Sequence, residues 1–234
     1  MDLAAARRLS DLTNDFYTRV ADSFSVTRQA PWRGWERVVA LCDLEASRPD
    51  SLTVLDLACG NLRFERFLTQ HTTGLQAWAV DVCDDLALPA DDLPFEVHYQ
   101  HLDLAHDPFG VRAPACDLCV SFGFMHHLPL PEQRQDVLNT LVGHARPQGL
   151  VAISFWQFER SPRLRAKATK LSGRGDYLLG WQHEEEVARY CHSFMDDEID
   201  ALVDAVGDKA CEVERFSADG KSDDLNRYVI LRVL

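Results

Sequence analysis

The 234-residue chain predicts an α/β fold, a seven-stranded and mostly parallel sheet with helices on both faces and an antiparallel C-terminal strand pair. Three observations predict it. Strand-like runs near 52–57, 75–80, 95–99, 116–122 and 150–156 alternate with helix-like stretches near 61–71, 84–88 and 131–145, the pattern of strands joined by crossover helices. The run Val54-Leu-Asp-Leu-Ala-Cys-Gly-Asn-Leu-Arg-Phe64 ends a strand at Asp56, turns through Ala58 and Gly60 and enters a helix. The segments Cys211–Phe216 and Asn226–Leu234 then read as the closing antiparallel pair.

In chain order, residues 1–48 read as a helical cap, one helix from Asp2 to about Phe24 and one from about Trp32 to Ala46, joined by Ser25–Pro31. The helix near 131–145 starts with Pro131, repeats Val137, Leu138, Leu141 and Val142 on one side and stops before Arg146-Pro-Gln-Gly149. Residues 157–192 are polar and read as an irregular insertion, followed by a helix over Asp196–Val206 and the final strands in 193–234. With 46% hydrophobic and 26% charged residues the chain is expected to build one core, hence a single domain over 1–234. No apolar stretch approaches the roughly 18 residues of a membrane span, and the start Met1-Asp-Leu-Ala-Ala-Ala-Arg-Arg has no hydrophobic signal core. A cytosolic protein with no membrane partner is expected.

Seven cysteines, scattered and odd in number, predict reduced thiols. Cys116 and Cys119 form one C-x-x-C, but no second pair stands at zinc spacing and a regular strand would point them to opposite faces, so no metal site is expected. A net charge of −13 argues against a protein that simply coats nucleic acid. The segment Arg160–Arg174 stands apart, with Arg160, Arg163, Arg165, Lys167, Lys170 and Arg174 and no acid.

The strand-to-helix turn brings backbone N–H groups and a helix N-terminus to the carboxyl edge of the sheet, where an anionic or zwitterionic group is held. A dinucleotide loop needs glycines in G-x-G-x-x-G register. Here those positions are Ala58, Gly60 and Arg63, so a dehydrogenase is the weaker reading. Asp81 stands 21 residues past Gly60 at the end of Leu75–Val80, the spacing of an acid that takes ribose hydroxyls. Tyr99-Gln-His-Leu-Asp103 supplies a further acid, and Cys116–Phe122 leads into Met125-His126-His127.

This order of features resembles the Rossmann-like, class I S-adenosylmethionine-dependent methyltransferases. Five segments narrow the resemblance to the transfer-RNA wobble-uridine carboxymethyl methyltransferases, including the methyltransferase domain fused to an AlkB-like hydroxylase in animals. They are Phe24-Ser-Val-Thr-Arg-Gln-Ala-Pro-Trp32, Val54–Asn61, Ser121-Phe-Gly-Phe-Met-His-His-Leu128 with Glu132 and Arg134, Gly149-Leu-Val-Ala-Ile-Ser-Phe-Trp156, and Gly175–Trp181 with Arg189-Tyr-Cys-His-Ser-Phe194. The T-R-x-x-P-W and R-Y-x-H-x-F patterns are the most particular of these. The resemblance implies methyl transfer from S-adenosylmethionine to the carboxylate of a carboxymethylated wobble uridine. It divides the chain into the cap, a cofactor-binding core over 49–156, a substrate-side insertion over 157–192 and the C-terminal elements.

On that resemblance Asp56, Ala58, Gly60 and Asn61 are assigned to the methionine end of the cofactor, Asp81 with Val82 to the ribose, and Asp103 with Leu104 to the adenine edge. Ser121 and Phe122 floor the pocket. Arg28 is a candidate partner for a cofactor or substrate carboxylate, against the alternative of an exposed loop arginine. His126 and His127 are catalytic candidates by the near-neutral titration of histidine, although two adjacent histidines are expected not to point inward together. Trp32 and Trp156, with Trp181, are candidates for stacking an unpaired base, or for core. Arg160, Arg163 and Arg165 are candidates for tracking phosphates, or for a solvated face. Asn226 and Arg227 reach the substrate or cap the sheet.

Transfer RNA and a small-molecule acid or hydroxyl acceptor both stand as acceptors. Eukaryotic members of the family work with a small zinc-containing subunit, so an activating subunit is among the partners implied. A cofactor-binding domain without catalysis fits less well, because Asp56, Gly60, Asp81 and Asp103 are all present.

Overall fold

The computed structural model describes residues 1–42, 51–87, 93–181 and 184–234. Helix α1 (Leu3–Thr27) is capped by the Asp2 carboxylate, which accepts from the Ala5 N–H at 2.7 Å. It buries Ala6, Ser10, Thr13, Phe16, Val20 and Ala21, spaced to lie on one face. Helix α2 (Arg33–Leu41) follows Trp32. The expected continuation of that helix over 43–46 lies outside the described residues.

Strands β1 (Leu52–Leu57), β2 (Leu75–Asp81), β3 (Glu96–His101), β4 (Cys116–Ser121) and β5 (Ala145–Trp156) are joined through helices α3 (Arg63–Leu68), α4 (Asp84–Ala87) and α5 (Pro131–His144). After β5 come α6 (Pro162–Arg165), strands β6 (Ala168–Lys170), β7 (Asp176–Trp181) and β8 (Glu184–His192), helix α7 (Asp196–Asp204), and strands β9 (Ala210–Ala218) and β10 (Asn226–Val233). The main sheet has seven strands in the order β3-β2-β1-β4-β5-β10-β9. Its first five strands are parallel, and β10 inserts antiparallel between β5 and β9.

Because β2 and β3 lie to one side of β1 while β4 and β5 lie to the other, the order of strand addition reverses between β1 and β4. A crevice opens there at the carboxyl ends of the strands, where ligands of open α/β sheets bind. The period-2 alternation of the strands divides the core into two layers. Leu55, Leu57, Val151 and Ile153 pack with α5, whereas Val54, Ala152 and Tyr228 pack with α2 and α3 through Trp35, Phe64 and Phe67.

Two expectations are corrected. The insertion 157–192 is not irregular: β6, β7 and β8 form a separate three-stranded antiparallel sheet that buries Tyr177, Leu179, Tyr190 and Cys191. Its strands are short or interrupted by charged residues, so their apolar periodicity is weak in the sequence. The α1 helix docks on this sheet, with the Tyr190 N–H donating to Thr13 Oγ1 at 3.1 Å and Trp181 Nε1 to Ser23 Oγ at 3.0 Å. Cys116 and Cys119 do not face opposite ways either. A register shift between Cys116 and Leu118 breaks the alternation, and both thiols enter the layer beneath α5. Both are free and buried.

The cap is seated through Gly34, whose N–H donates to Asp219 Oδ1 at 3.2 Å while Tyr228 donates its hydroxyl to Asp219 Oδ2 at 2.6 Å. A Cβ at Gly34 would lie 2.4 Å from the Tyr228 ring. Gly34→Ala is therefore expected to cost about 1–3 kcal/mol and lower the urea midpoint without changing the m-value. An unchanged midpoint would show that α2 is not packed on β10 in this way.

Candidate functional site

The turn after β1 is held in an unusual backbone shape. Ala58, Gly60 and Leu62 all have positive φ, at 67°, 53° and 56°. The N–H groups of Ala58 and Cys59 both donate to the Val80 carbonyl, at 2.8 and 3.1 Å, and the Gly60 N–H donates to Asp81 Oδ2 at 2.8 Å. Asp81 Oδ1 accepts from the Cys83 N–H at 2.9 Å. The carboxylate that ends β2 therefore pins the turn that ends β1. A Cβ placed on Gly60 would meet nothing within 4 Å, so the space above the turn is open to a ligand while the backbone itself favours glycine. Asn61 ties the turn to the cap, donating to Ser25 Oγ at 3.2 Å and to the Arg28 carbonyl at 3.1 Å.

A cavity of about 1060 Å³, open mouth included, lies over this turn. Ala58, Gly60 and Asn61 line one wall and Asp81 with Val82 the next. Asp103, Leu104 and Phe122 close it, under a roof formed by α1. Asp103 is oriented by that roof, accepting from Asn14 Nδ2 at 2.8 Å and from the Ala105 N–H at 2.9 Å and meeting His106 Nδ1 at 2.8 Å. Burial raises the Asp81 pKa, opposed by the backbone N–H groups of Cys83 and Gly60. Asp56 and Ser121 do not line the cavity. Ser121 is fully buried and donates to the Leu57 carbonyl at 2.9 Å, and Asp56 lies beneath the turn facing Glu65.

A second cavity of about 1120 Å³ adjoins the first and shares Tyr17, Phe24, Arg28, Trp32, Arg63 and Gly123 with it. Trp156, His126, Asn226, Arg189 and Asp219 are among its further walls. Arg28 thus stands between the two cavities rather than in an exposed loop, with its guanidinium 4.9 Å over the Phe24 ring and 5.7 Å over Trp181. Burial lowers the Arg28 pKa, and Arg189 adds to that direction. Trp181 packs with Phe16 and Val20. Asn226 donates to Asp219 Oδ2 at 2.8 Å. Arg160, Arg163, Arg165 and Arg227 are not brought to either cavity. Arg160 and Arg227 pair with Asp196 at 3.4 and 3.3 Å, and Arg163 and Arg165 are exposed on α6.

Sequence reasoning missed Arg189 as a site residue. It is 6% exposed, its Cζ lies 4.6 Å over the Phe16 ring, and its Nε and Nη1 have no hydrogen-bond partner among the described residues. An unpaired guanidinium buried at a cavity wall is costly unless an anion completes it. Its signal was present in the R-Y-x-H-x-F pattern, but only strand pairing sets Arg189 apart from its neighbours. Tyr190 on the same strand turns the other way, to Asp176 and Arg134.

Both histidines point inward, contrary to expectation. The tight turn Met125–His127 fans them apart, so that His126 lines the second cavity and His127 the first, with ring centroids 4.0 Å apart. The Nδ1–H of His127 donates to the Tyr190 carbonyl at 2.8 Å, which leaves Nε2 to accept from the Tyr17 hydroxyl at 2.8 Å. Burial, reinforced by Arg189, pushes His127 down to about 3 and His126 well below the ordinary imidazole value. His126, His127 and Cys191 have ligand atoms within 4.8 Å of one another, but Arg189 lies beside all three and burial pushes the Cys191 thiol up to about 11. A guanidinium in their midst favours an anion there over a metal cation.

No protein-family model matches the chain. Among curated relatives, the mouse tRNA (carboxymethyluridine(34)-5-O)-methyltransferase ALKBH8 is 28% identical over 144 residues, 62% of this chain and 20% of that protein. The Arabidopsis thaliana tRNA (carboxymethyluridine(34)-5-O)-methyltransferase is 27% identical over 168 residues, 70% of this chain and 37% of that one. The chain therefore spans well under half the length of these relatives. Among solved structures, the 1,6-didemethyltoxoflavin-N1-methyltransferase of Burkholderia thailandensis, with 1,6-didemethyltoxoflavin and S-adenosylhomocysteine bound, superposes with a TM-score of 0.67 at 18% identity, covering 100% of this chain and 92% of that one. The magnesium protoporphyrin IX methyltransferase of a Synechocystis strain superposes with a TM-score of 0.55 at 12% identity, over 86% and 79% of the two chains.

The strand order, the turn after β1 and these superpositions give the chain the fold of the class I S-adenosylmethionine-dependent methyltransferases. Within that class it resembles the transfer-RNA carboxymethyluridine methyltransferases.

Because burial depresses both imidazoles, their carbon-bound proton resonances are expected not to titrate between pH 8 and pH 5. A midpoint near the ordinary value of about 6.5 for either one would contradict this account of the site.

Proposed function

We propose that the chain is an S-adenosylmethionine-dependent methyltransferase that esterifies the carboxylate of a modified wobble uridine in transfer RNA. The observation that carries the acceptor chemistry is Arg189, a buried cation with two donors left open and no carboxylate partner among the described residues, in an aromatic-walled cavity beside the cofactor-type turn. Likeness to the carboxymethyluridine methyltransferases supports the nucleic acid.

The residues fit the cofactor. The open turn at Ala58–Asn61 suits a methionine end, Asp81 retains lone pairs for ribose hydroxyls, and Asp103 with the Leu104 backbone suits an adenine edge. When bound, S-adenosylmethionine would supply a sulfonium methyl to an oxygen anion, with neutral S-adenosylhomocysteine as the leaving group. A carboxylate is ionised at neutral pH and needs no base, which accords with two imidazoles too weakly basic to serve as one. The protein's task is to hold the oxygen in line and keep it poorly hydrated. Arg189 meets the carboxylate with a planar fork, Arg28 adds a second charge at the junction of the cavities, and Trp32 and Trp156 flank the base. Arg163, Arg165, Lys167 and Lys170, on and after α6, are the residues for phosphates at greater reach.

A small-molecule acid is the second reading, favoured by the net charge of −13. The readings separate on total transfer RNA given with methyl-labelled cofactor. Arg189→Met is expected to lower label transfer by about 100-fold or more while cofactor affinity stays within about twofold. Undiminished transfer would remove Arg189 from the reaction. Asp81→Ala is expected to weaken S-adenosylmethionine binding by about 10- to 100-fold in calorimetry, and unchanged affinity would place the cofactor elsewhere. Reversing Arg163 and Arg165 to Glu is expected to weaken RNA binding and flatten its dependence on salt; no effect would favour the small acceptor.

A further inference from the structure

Beneath the cofactor-type turn lies an acid pair that the mechanism above does not use. Asp56 ends the β1 layer that faces α3, and Glu65 stands on α3 directly after the turn. They are 3% and 0% exposed. Among the described residues Asp56 Oδ1 and both oxygens of Glu65 have no hydrogen-bond donor, yet the two carboxyls lie within hydrogen-bonding reach of each other. A proton held between them satisfies two carboxyls in that position. Of the charged neighbours only Arg66 opposes the raised acids, and weakly. Asp81 on β2 adds a like charge, the Cys59 thiol in the turn is itself held protonated by burial and these acids, and Arg66 spends its Nη1 on the Asn61 carbonyl at 3.0 Å at the exposed surface.

We propose that Asp56 and Glu65 share a proton in the ligand-free protein and release it when the cationic methyl donor binds, so that the pair distinguishes the donor from its neutral product. The inference rests on the cofactor reading above. S-adenosylmethionine carries a sulfonium charge that S-adenosylhomocysteine lacks, and a buried anion below the turn attracts the former alone. The proton passes to solvent, and no bond of the cofactor is broken in the process. By linkage, a ligand whose binding expels a proton binds more tightly as pH rises. Burial raises Glu65 to about 7, so the window runs from about pH 6 to pH 8.

The test is calorimetric titration of the intact chain at pH 7 in two buffers of different ionisation enthalpy, phosphate and Tris, with each ligand in turn. A fraction of a proton, on the order of 0.3–0.5, is expected to be released with S-adenosylmethionine and close to none with S-adenosylhomocysteine. Glu65→Gln should abolish that difference and reduce the preference for donor over product by about fivefold to tenfold. The same variant should melt at a higher temperature than wild type at pH 8, because an acid whose folded-state pKa is raised loses stability as pH climbs from about 4.5 to 7. That melt also confirms folding, and Asp56→Asn repeats the test from the other side. Equal release with both ligands, or release that persists in Glu65→Gln, overturns the proposal. Failure of either ligand to bind strikes the cofactor reading itself, whereas binding without release strikes the acid pair alone.

Discussion

The hydrogen bond from the Gly60 N–H to the Asp81 carboxylate is the contact on which the site depends. It joins the ends of two adjacent parallel strands and fixes a turn with three left-handed residues, two of them not glycine. A left-handed Ala58 and Leu62 each cost about 1–2 kcal/mol, and such a conformation persists only where its surroundings over-determine it. Here the Val80 carbonyl, the Asp81 carboxylate and the burial of Leu62 with Cys59, Ala79 and Ala87 do so. The cavity, the start of α3 and the anchoring of the cap through Asn61 all follow from that one shape.

Charge is laid out along the same axis. Asp56, Glu65 and Asp81 lie below and beside the turn, whereas Arg28 and Arg63 stand where the two cavities meet and Arg189 faces the second, across from Asp219 held by Asn226 and Tyr228. Burial lowers Arg63 to about 10, with Arg28 adding to that direction, which shows how closely these cations are crowded. A sulfonium above the buried acids, with its methyl toward the second cavity, and an acceptor carboxylate beside Arg189 would each meet complementary charge in a low-dielectric setting. The α1 helix roofs both compartments, through Asn14 to Asp103 and through Tyr17 to His127.

The strands of the main sheet were legible because buried parallel strands are near-continuous apolar runs, and the turn was legible because Asp56, Ala58 and Gly60 sit at a strand end. Asp81 and Asp103 were legible by spacing, and both line the cavity. Asp56 illustrates the limit: alternation along β1 directs it away from the cavity and under the turn, and only the fold shows that Glu65 is its neighbour. The sheet β6-β7-β8 escaped because its periodicity is short and charged, and Arg189 escaped with it. The basic segment was conspicuous by composition, yet two of its arginines, Arg160 and Arg174, are paired with Asp196 and Asp197 on α7. The inward facing of both histidines depended on a tight turn that the sequence does not announce.

The most direct test of the central claim is a crystal structure of the chain grown with S-adenosylhomocysteine. The account predicts ribose hydroxyls at about 2.6–2.9 Å from the Asp81 carboxylate, the adenine edge beside Asp103 and Leu104, and the sulfur turned toward the cavity of Arg28 and Arg189. Nucleoside density away from Asp81, or a sulfur facing away from Arg189, would contradict it.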